Sequence, residues 1–172
     1  MTRTGGLIAA VALLAGCSSS GSGNSDLDSL RRVTEPYKSF AAASAAGYST
    51  RITNCMIDTS GQTGAMGYHY GNTTLIDGSV SVTSPELLLY EPDATDTLRL
   101  VAVEYIIPYT AHARSDTPPV LFGQQFSQND VFQLWGLHVW AWKDNPNGLY
   151  ASWNPNVTCA HATSVTMMAH NH

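Results

Sequence analysis

Two hydrophobic periods divide the chain. Across residues 26–46, Leu27, Leu30, Val33, Tyr37 and Phe40 recur at three- and four-residue steps, the spacing of one helix face. Ser25 is placed to cap that helix, Asp26 and Asp28 suit its positive end, and Gly47 suits its stop. Pro36 lies inside the pattern and predicts a kink or a break, because it lacks the N–H and crowds the preceding turn. Beyond Gly47 the period shortens to two and β-branched and aromatic residues take over. This predicts strands at residues 51–56, 65–70, 85–90, 98–107 and 134–142. The 98–107 segment is an almost continuous apolar run ended by Pro108, as expected of a strand covered on both faces. Residues 110–119 read as a loop, and the Asp-Asn-Pro-Asn-Gly run at 144–148 and Trp-Asn-Pro-Asn at 153–156 read as turns. The predicted fold is α+β with β dominant: one N-terminal helix, kinked at Pro36, packed on a mostly antiparallel, barrel-like sheet.

Before the helix the pattern is of another kind. Arg3 precedes an apolar run at residues 7–15, and Leu14-Ala15-Gly16-Cys17 closes it. The run is too short for a hydrocarbon core of about 30 Å, which takes roughly 20 apolar residues. It resembles the signal peptides of bacterial lipoproteins, which implies cleavage after residue 16 and lipidation of Cys17. An ordinary secretory signal with a coincidental cysteine is the alternative. The Ser/Gly/Asn run to Ser25 reads as a flexible tether, with residues 17–25 as lipidated cysteine and spacer. On this reading residues 26–160 form one extracytoplasmic domain, and 161–172 a flexible Met/His tail. The chain is then anchored to a membrane through its lipid, in the cell envelope, facing the periplasm or the outside.

The cysteine count adds to this. Of three cysteines, Cys17 is assigned to lipid, which leaves Cys55 and Cys159 as a pair in an oxidising compartment. A disulfide is the simplest expectation; a thiol pair binding metal is the other, without any C-x-x-C spacing to favour it. The formal net charge is −5 and no basic cluster occurs, so nucleic acid is not an expected partner. G-x-S-x-G is absent, and the Gly-rich segment at 61–67 lacks the Lys-Ser/Thr ending of a phosphate loop.

Candidate chemistry sits in the strands. Glu104 interrupts an apolar run and is expected to share a face with Leu100, Ala102 and Ile106, where a carboxylate needs a cation, a hydrogen bond or a proton. His69 lies between Tyr68 and Tyr70 and faces away from them. His138 is expected to share a face with Trp140 and Trp142, an aromatic wall. If all three point inward they form a two-histidine, one-carboxylate set suited to Zn, Cu, Fe or Mn, with Glu86 as a substitute for Glu104. The alternatives are histidines that merely bond backbone carbonyls in a core, and metal-free acid–base catalysis by the same groups. The Met167-Met168-Ala169-His170-Asn171-His172 tail offers soft donors for copper or nickel, or is adventitious; His112 and His161 read as loop residues.

Six blocks carry a resemblance: residues 64–70, 85–92, 100–105, 118–124, 137–143 and 153–155, among them MGYHY, PELLLYEP, LVAVEY and LHVWAWK. Together they are similar to a family of uncharacterised bacterial secreted proteins. The resemblance implies an extracytoplasmic domain and brings no activity. Three functions stay open: an envelope lipoprotein binding a small ligand or divalent metal, a metal-dependent or His/Glu acid–base enzyme, and a structural or assembly lipoprotein. Replacing Cys17 with Ser is expected to move the chain from the membrane fraction to the soluble fraction and to abolish incorporation of labelled palmitate. Retention of both membrane association and label would contradict the lipid anchor.

Overall fold

The computed structural model describes Met1 and residues 21–59, 63–95 and 97–168, with residues 21–23 as backbone only. The signal peptide and Cys17 lie outside the described residues. The helical stretch begins at Gly21, so Ser25 lies within a helix rather than capping one. It is broken where proline predicts: α1 (Gly21–Thr34) gives way to a 3₁₀ turn (Glu35–Lys38), then to α2 (Phe40–Ala45), whose N-cap Ser39 accepts from the Ala42 N–H.

Among the described residues ten strands follow: β1 (Thr50–Arg51), β2 (Cys55–Asp58), β3 (Ala65–Gly71), β4 (Leu87–Pro92), β5 (Leu98–Pro108), β6 (Val120–Leu121), β7 (Gln124–Gln125), β8 (Ser127–Asn129), β9 (Leu134–Val139) and β10 (Val165–Met168). Eight of them form one sheet in the order β10-β2-β3-β4-β5-β9-β8, with β1 on β3; β6 and β7 make a separate hairpin. Every pairing is antiparallel except β10 on β2. The architecture is a β-dominant α+β fold, with the N-terminal helix packed on a curled half-barrel.

Period-two alternation sends successive side chains to opposite faces, and here both faces are buried. Leu88, Tyr90, Val103, Tyr105, Ile107, Leu137 and Val139 join one core with Leu30 and Ala43 of the helices. Phe40 seats its ring edge-on against Tyr70 and Tyr90, at 4.5 and 5.3 Å. Leu87, Leu89, Ala102, Ile106 and Trp140 join the other core, which Trp153, Val157 and the disulfide-bonded cysteines cover. Here Ala65 pairs with Asn154, and a Cβ on Gly64 (φ +92°) would lie 2.0 Å from the Asn154 carbonyl oxygen, so only glycine fits.

Four further expectations need correction. The strand expected at 51–56 is two short strands, because the register against β3 shifts between Arg51↔Tyr70 and Met56↔Gly67 and the intervening residues leave the ladder. Leu100 does not share the face of Glu104. The register slips between Leu89 and Tyr90, Val101 is the extra residue, and Leu100 is delivered to the helix-side core. Trp142 does not wall a pocket with His138; β9 ends at Val139, and the Trp142 indole donates to Thr34 Oγ1 at 3.1 Å under the helix. Residues 165–168, expected in a flexible tail, form β10 beside β2, while 169–172 lie outside the described residues.

Cys55 and Cys159 are joined, with a sequence separation of 104. In the chain-entropy view a loop that long contributes about 4–5 kcal/mol. The paired substitution Cys55→Ala with Cys159→Ala is expected to lower unfolding stability by about 2–5 kcal/mol in a urea titration. A double variant as stable as the parent would show that the cross-link contributes nothing.

Candidate metal centre

The three residues singled out on chemical grounds come together. His69 on β3 pairs with Leu89 on β4, which pairs with Ala102 on β5. Glu104 stands two residues along on that face and pairs directly with His138 on β9. Four adjacent strands thus carry the three side chains to one point, where one ligand atom from each lies within 4.8 Å of the others.

The spacings are informative. His69 Nε2 is 3.4 Å from Glu104 Oε2, and His138 Nε2 is 3.7 Å from Glu104 Oε1. Good N–H···O bonds span about 2.7–3.2 Å, so neither contact is a well-made hydrogen bond. Donors around one tetrahedral ion at about 2.0–2.1 Å lie roughly 3.3 Å apart, close to what is seen. Among the described residues the buried His138 Nε2 has no hydrogen-bond partner, an uncompensated cost that a bound cation would remove. The other imidazole is oriented from behind: His69 Nδ1 and Thr53 Oγ1 lie 2.9 Å apart, which leaves Nε2 to face Glu104. The His138 ring stacks on Trp140, with centroids 6.4 Å apart and planes at 11°. Gly136 makes room for the carboxylate, since a Cβ there would sit 3.0 Å from Glu104 Oε1.

Burial sets the protonation states. It pushes His69 down to about 3, helped by the neighbouring His138, and His138 down to about 4, so both imidazoles are neutral at pH 7 with lone pairs to offer. It pushes Glu104 up to about 8, with Glu86 adding to the rise, so this carboxyl keeps its proton at neutrality unless a cation takes its place. A buried neutral set that becomes favourable on gaining a positive ion is what a metal site requires.

Glu86 does not replace Glu104. Its Oε2 accepts the Ile106 N–H at 3.1 Å, and it is not among the three converging groups. His112 lies in a loop with Nε2 at 2.8 Å from the Thr117 carbonyl oxygen, and His161 lies in a loop near the end of the described chain; neither reaches the cluster. One side of the cluster opens into a cavity of about 320 Å³, lined by Glu104 and His138 together with residues of β7, β8 and the 150–153 segment. Sequence reasoning missed Thr53, Gly136 and this cavity. A glycine inside an otherwise apolar strand was a signal for Gly136; Thr53 carried none.

No protein-family model, curated protein or solved structure matches the chain, so the site is interpreted from its own geometry.

The shifts act on stability in opposite directions. The histidines, depressed from 6.5, add stability as pH rises from about 3 to 6.5. The carboxyls Glu104 and Glu86, raised from 4.5 to about 8, lose it as pH rises over that interval. Above pH 6.5 the carboxyls alone act. Stability of the chelator-treated chain is therefore expected to fall from pH 6.5 to 8, by up to about 1.4 kcal/mol per pH unit for each. Glu104→Gln is expected to flatten that fall, as read from urea titrations at both pH values; an unchanged slope would contradict the placement of a buried carboxyl here.

Proposed function

We propose that this chain is a lipid-anchored protein of the bacterial envelope whose domain holds a divalent transition metal through His69, Glu104 and His138. The observation that carries the metal reading is the convergence of three buried donors at ligand-like spacings, with His138 Nε2 otherwise unpaired. The donor set fits: two neutral imidazoles and one carboxylate suit Zn, Fe, Mn or Cu, and Thr53 orients His69 as a supporting partner does in metal sites. The two imidazoles and the carboxylate would hold such a metal, which would supply a Lewis acid next to the cavity. The leader ending at Cys17 supports the anchor and the envelope location. Among the described residues no helix is long and apolar enough to cross a membrane.

The cavity favours one addition to this reading. A structural metal site is closed by four protein ligands, whereas a catalytic or ligand-binding one keeps a position open. Here three protein donors stand beside space for a small molecule. This supports a site that takes a ligand, either to bind it or to act on it.

Elemental analysis of the full chain, purified without an oligohistidine tag, tests the metal. About one equivalent of a transition metal is expected, dropping at least tenfold in His69→Ala and in His138→Ala while circular dichroism keeps the β signature. A well-folded parent that neither carries nor takes up Zn, Cu, Fe or Mn would overturn the reading.

A further inference from the structure

Between β1 and β2, residues Ile52, Thr53 and Asn54 belong to no strand, yet they hold one of the donors. The Ile52 N–H donates to the His69 carbonyl oxygen at 2.8 Å, and Thr53 Oγ1 lies 2.9 Å from His69 Nδ1. One short stretch therefore grips the same histidine by its backbone and by its ring. A neutral imidazole offers Nε2 to a metal only when its proton sits on Nδ1, and a hydroxyl beside Nδ1 accepts that N–H.

This stretch is lightly packed. Thr53 is half-buried, Ile52 is exposed, and residues 51–54 border a second cavity of about 320 Å³. The ladder to β3 is interrupted here, between Arg51↔Tyr70 and Met56↔Gly67. What fixes the stretch beyond Thr53 is contact with β10 and the residue before it. The Cys55 N–H donates to the Ser164 carbonyl oxygen at 3.0 Å, Cys55 pairs with Val165, and Asn54 Nδ2 donates to Thr166 Oγ1 at 3.3 Å. β10 is itself an edge strand, paired with β2 alone among the described residues. The chain leading into it is tied to the sheet by the Thr163 N–H, which donates to the Tyr68 hydroxyl at 2.8 Å, and by the disulfide from Cys159 to Cys55. The cross-link thus acts at both ends of the contact, on β2 directly and on the run into β10.

We propose that the Cys55–Cys159 cross-link is part of the metal centre: it fixes the stretch that sets Thr53 against His69, so the chain loads metal once the disulfide has formed and holds it weakly while the cysteines are thiols. The inference rests on the metal reading for the three donors. The cross-link closes by exchange with a disulfide oxidant: the cysteine thiols become one disulfide, and the oxidant accepts their two electrons and two protons and leaves as two thiols. Loading is then confined to an oxidising compartment.

Zinc affinity of the full chain, measured by competition with a chromogenic chelator, tests the coupling. Thr53→Val is expected to lower it roughly tenfold, and Thr53→Ser to restore it. Cys55→Ser with Cys159→Ser is expected to lower it roughly tenfold while circular dichroism keeps the β signature. Adding Thr53→Val to that pair is expected to cost no more than about threefold further, because both changes release the same ring. Asn54→Gly keeps the disulfide and slackens its connection to Thr53; it is expected to weaken zinc binding too, and it decides the matter if the paired variant does not fold. Parent affinity in the folded paired variant or in Asn54→Gly, or losses that simply multiply, would overturn the coupling. Nitrogen-15 spectra of the histidine rings in the metal-free chain read the grip itself, with one His69 tautomer expected in the parent and exchange between the two in Thr53→Val and in the paired variant. An unchanged tautomer across these variants would overturn the grip even in a chain that binds zinc. A parent that takes up no Zn, Cu, Fe or Mn would instead remove the metal reading, and the loading condition with it.

Discussion

A sheet buried on both faces has no solvated side on which to put a polar group. Helices α1 and α2 cover one face, and the 149–159 segment with the Cys55–Cys159 cross-link covers the other. Each buried ionisable side chain on or beside β3, β4, β5 and β9 must then find its compensation inside the protein or lose its charge. Glu86 finds a backbone N–H and Glu91 finds Lys143 and the Thr158 N–H. His69 finds Thr53 on one nitrogen. Glu104 and His138 find only each other and the remaining nitrogen of His69, at distances too long for good hydrogen bonds.

That contrast separates structural polar burial from a site. The ion pair of Glu91 and Lys143 ties β4 to the chain after β9, and the second oxygen of Glu91 ties in Thr158; both oxygens are used. The donors of the centre are positioned with the same care, by register on four strands, a stacked indole and a glycine that leaves space, yet their own bonding is incomplete. This unmet hydrogen-bonding capacity is the feature on which the metal proposal rests.

The cavity extends the same logic outward. Where the half-barrel fails to close, between β8 at one edge and β10 at the other, the lining draws on both edges: Gln128 and Asn129 from the first, Met168 from the second. An open sheet edge is ordinarily a hazard, because its unpaired backbone invites association. Here residues of both edges border the cavity instead.

Much of this was legible in the residues. The helix stripe, its break at Pro36, the main strands and the pairing of two cysteines follow from period, proline geometry and parity, which are local or countable. So did the chemical identity of His69, Glu104 and His138, since an ionisable group in an apolar strand is conspicuous wherever it lands. Their convergence was not, because it depends on strand order and register, set by contacts between segments far apart in the chain. One bulge at Val101 moved Leu100 to the other core, and the early end of β9 turned Trp142 away from His138. Residues 165–168 read as part of a flexible Met/His tail until β2 offers them an edge to pair with. Sequence determined which groups needed partners; only the tertiary structure decided which ones would meet, because a period of two says which side a residue faces and nothing about what lies across from it.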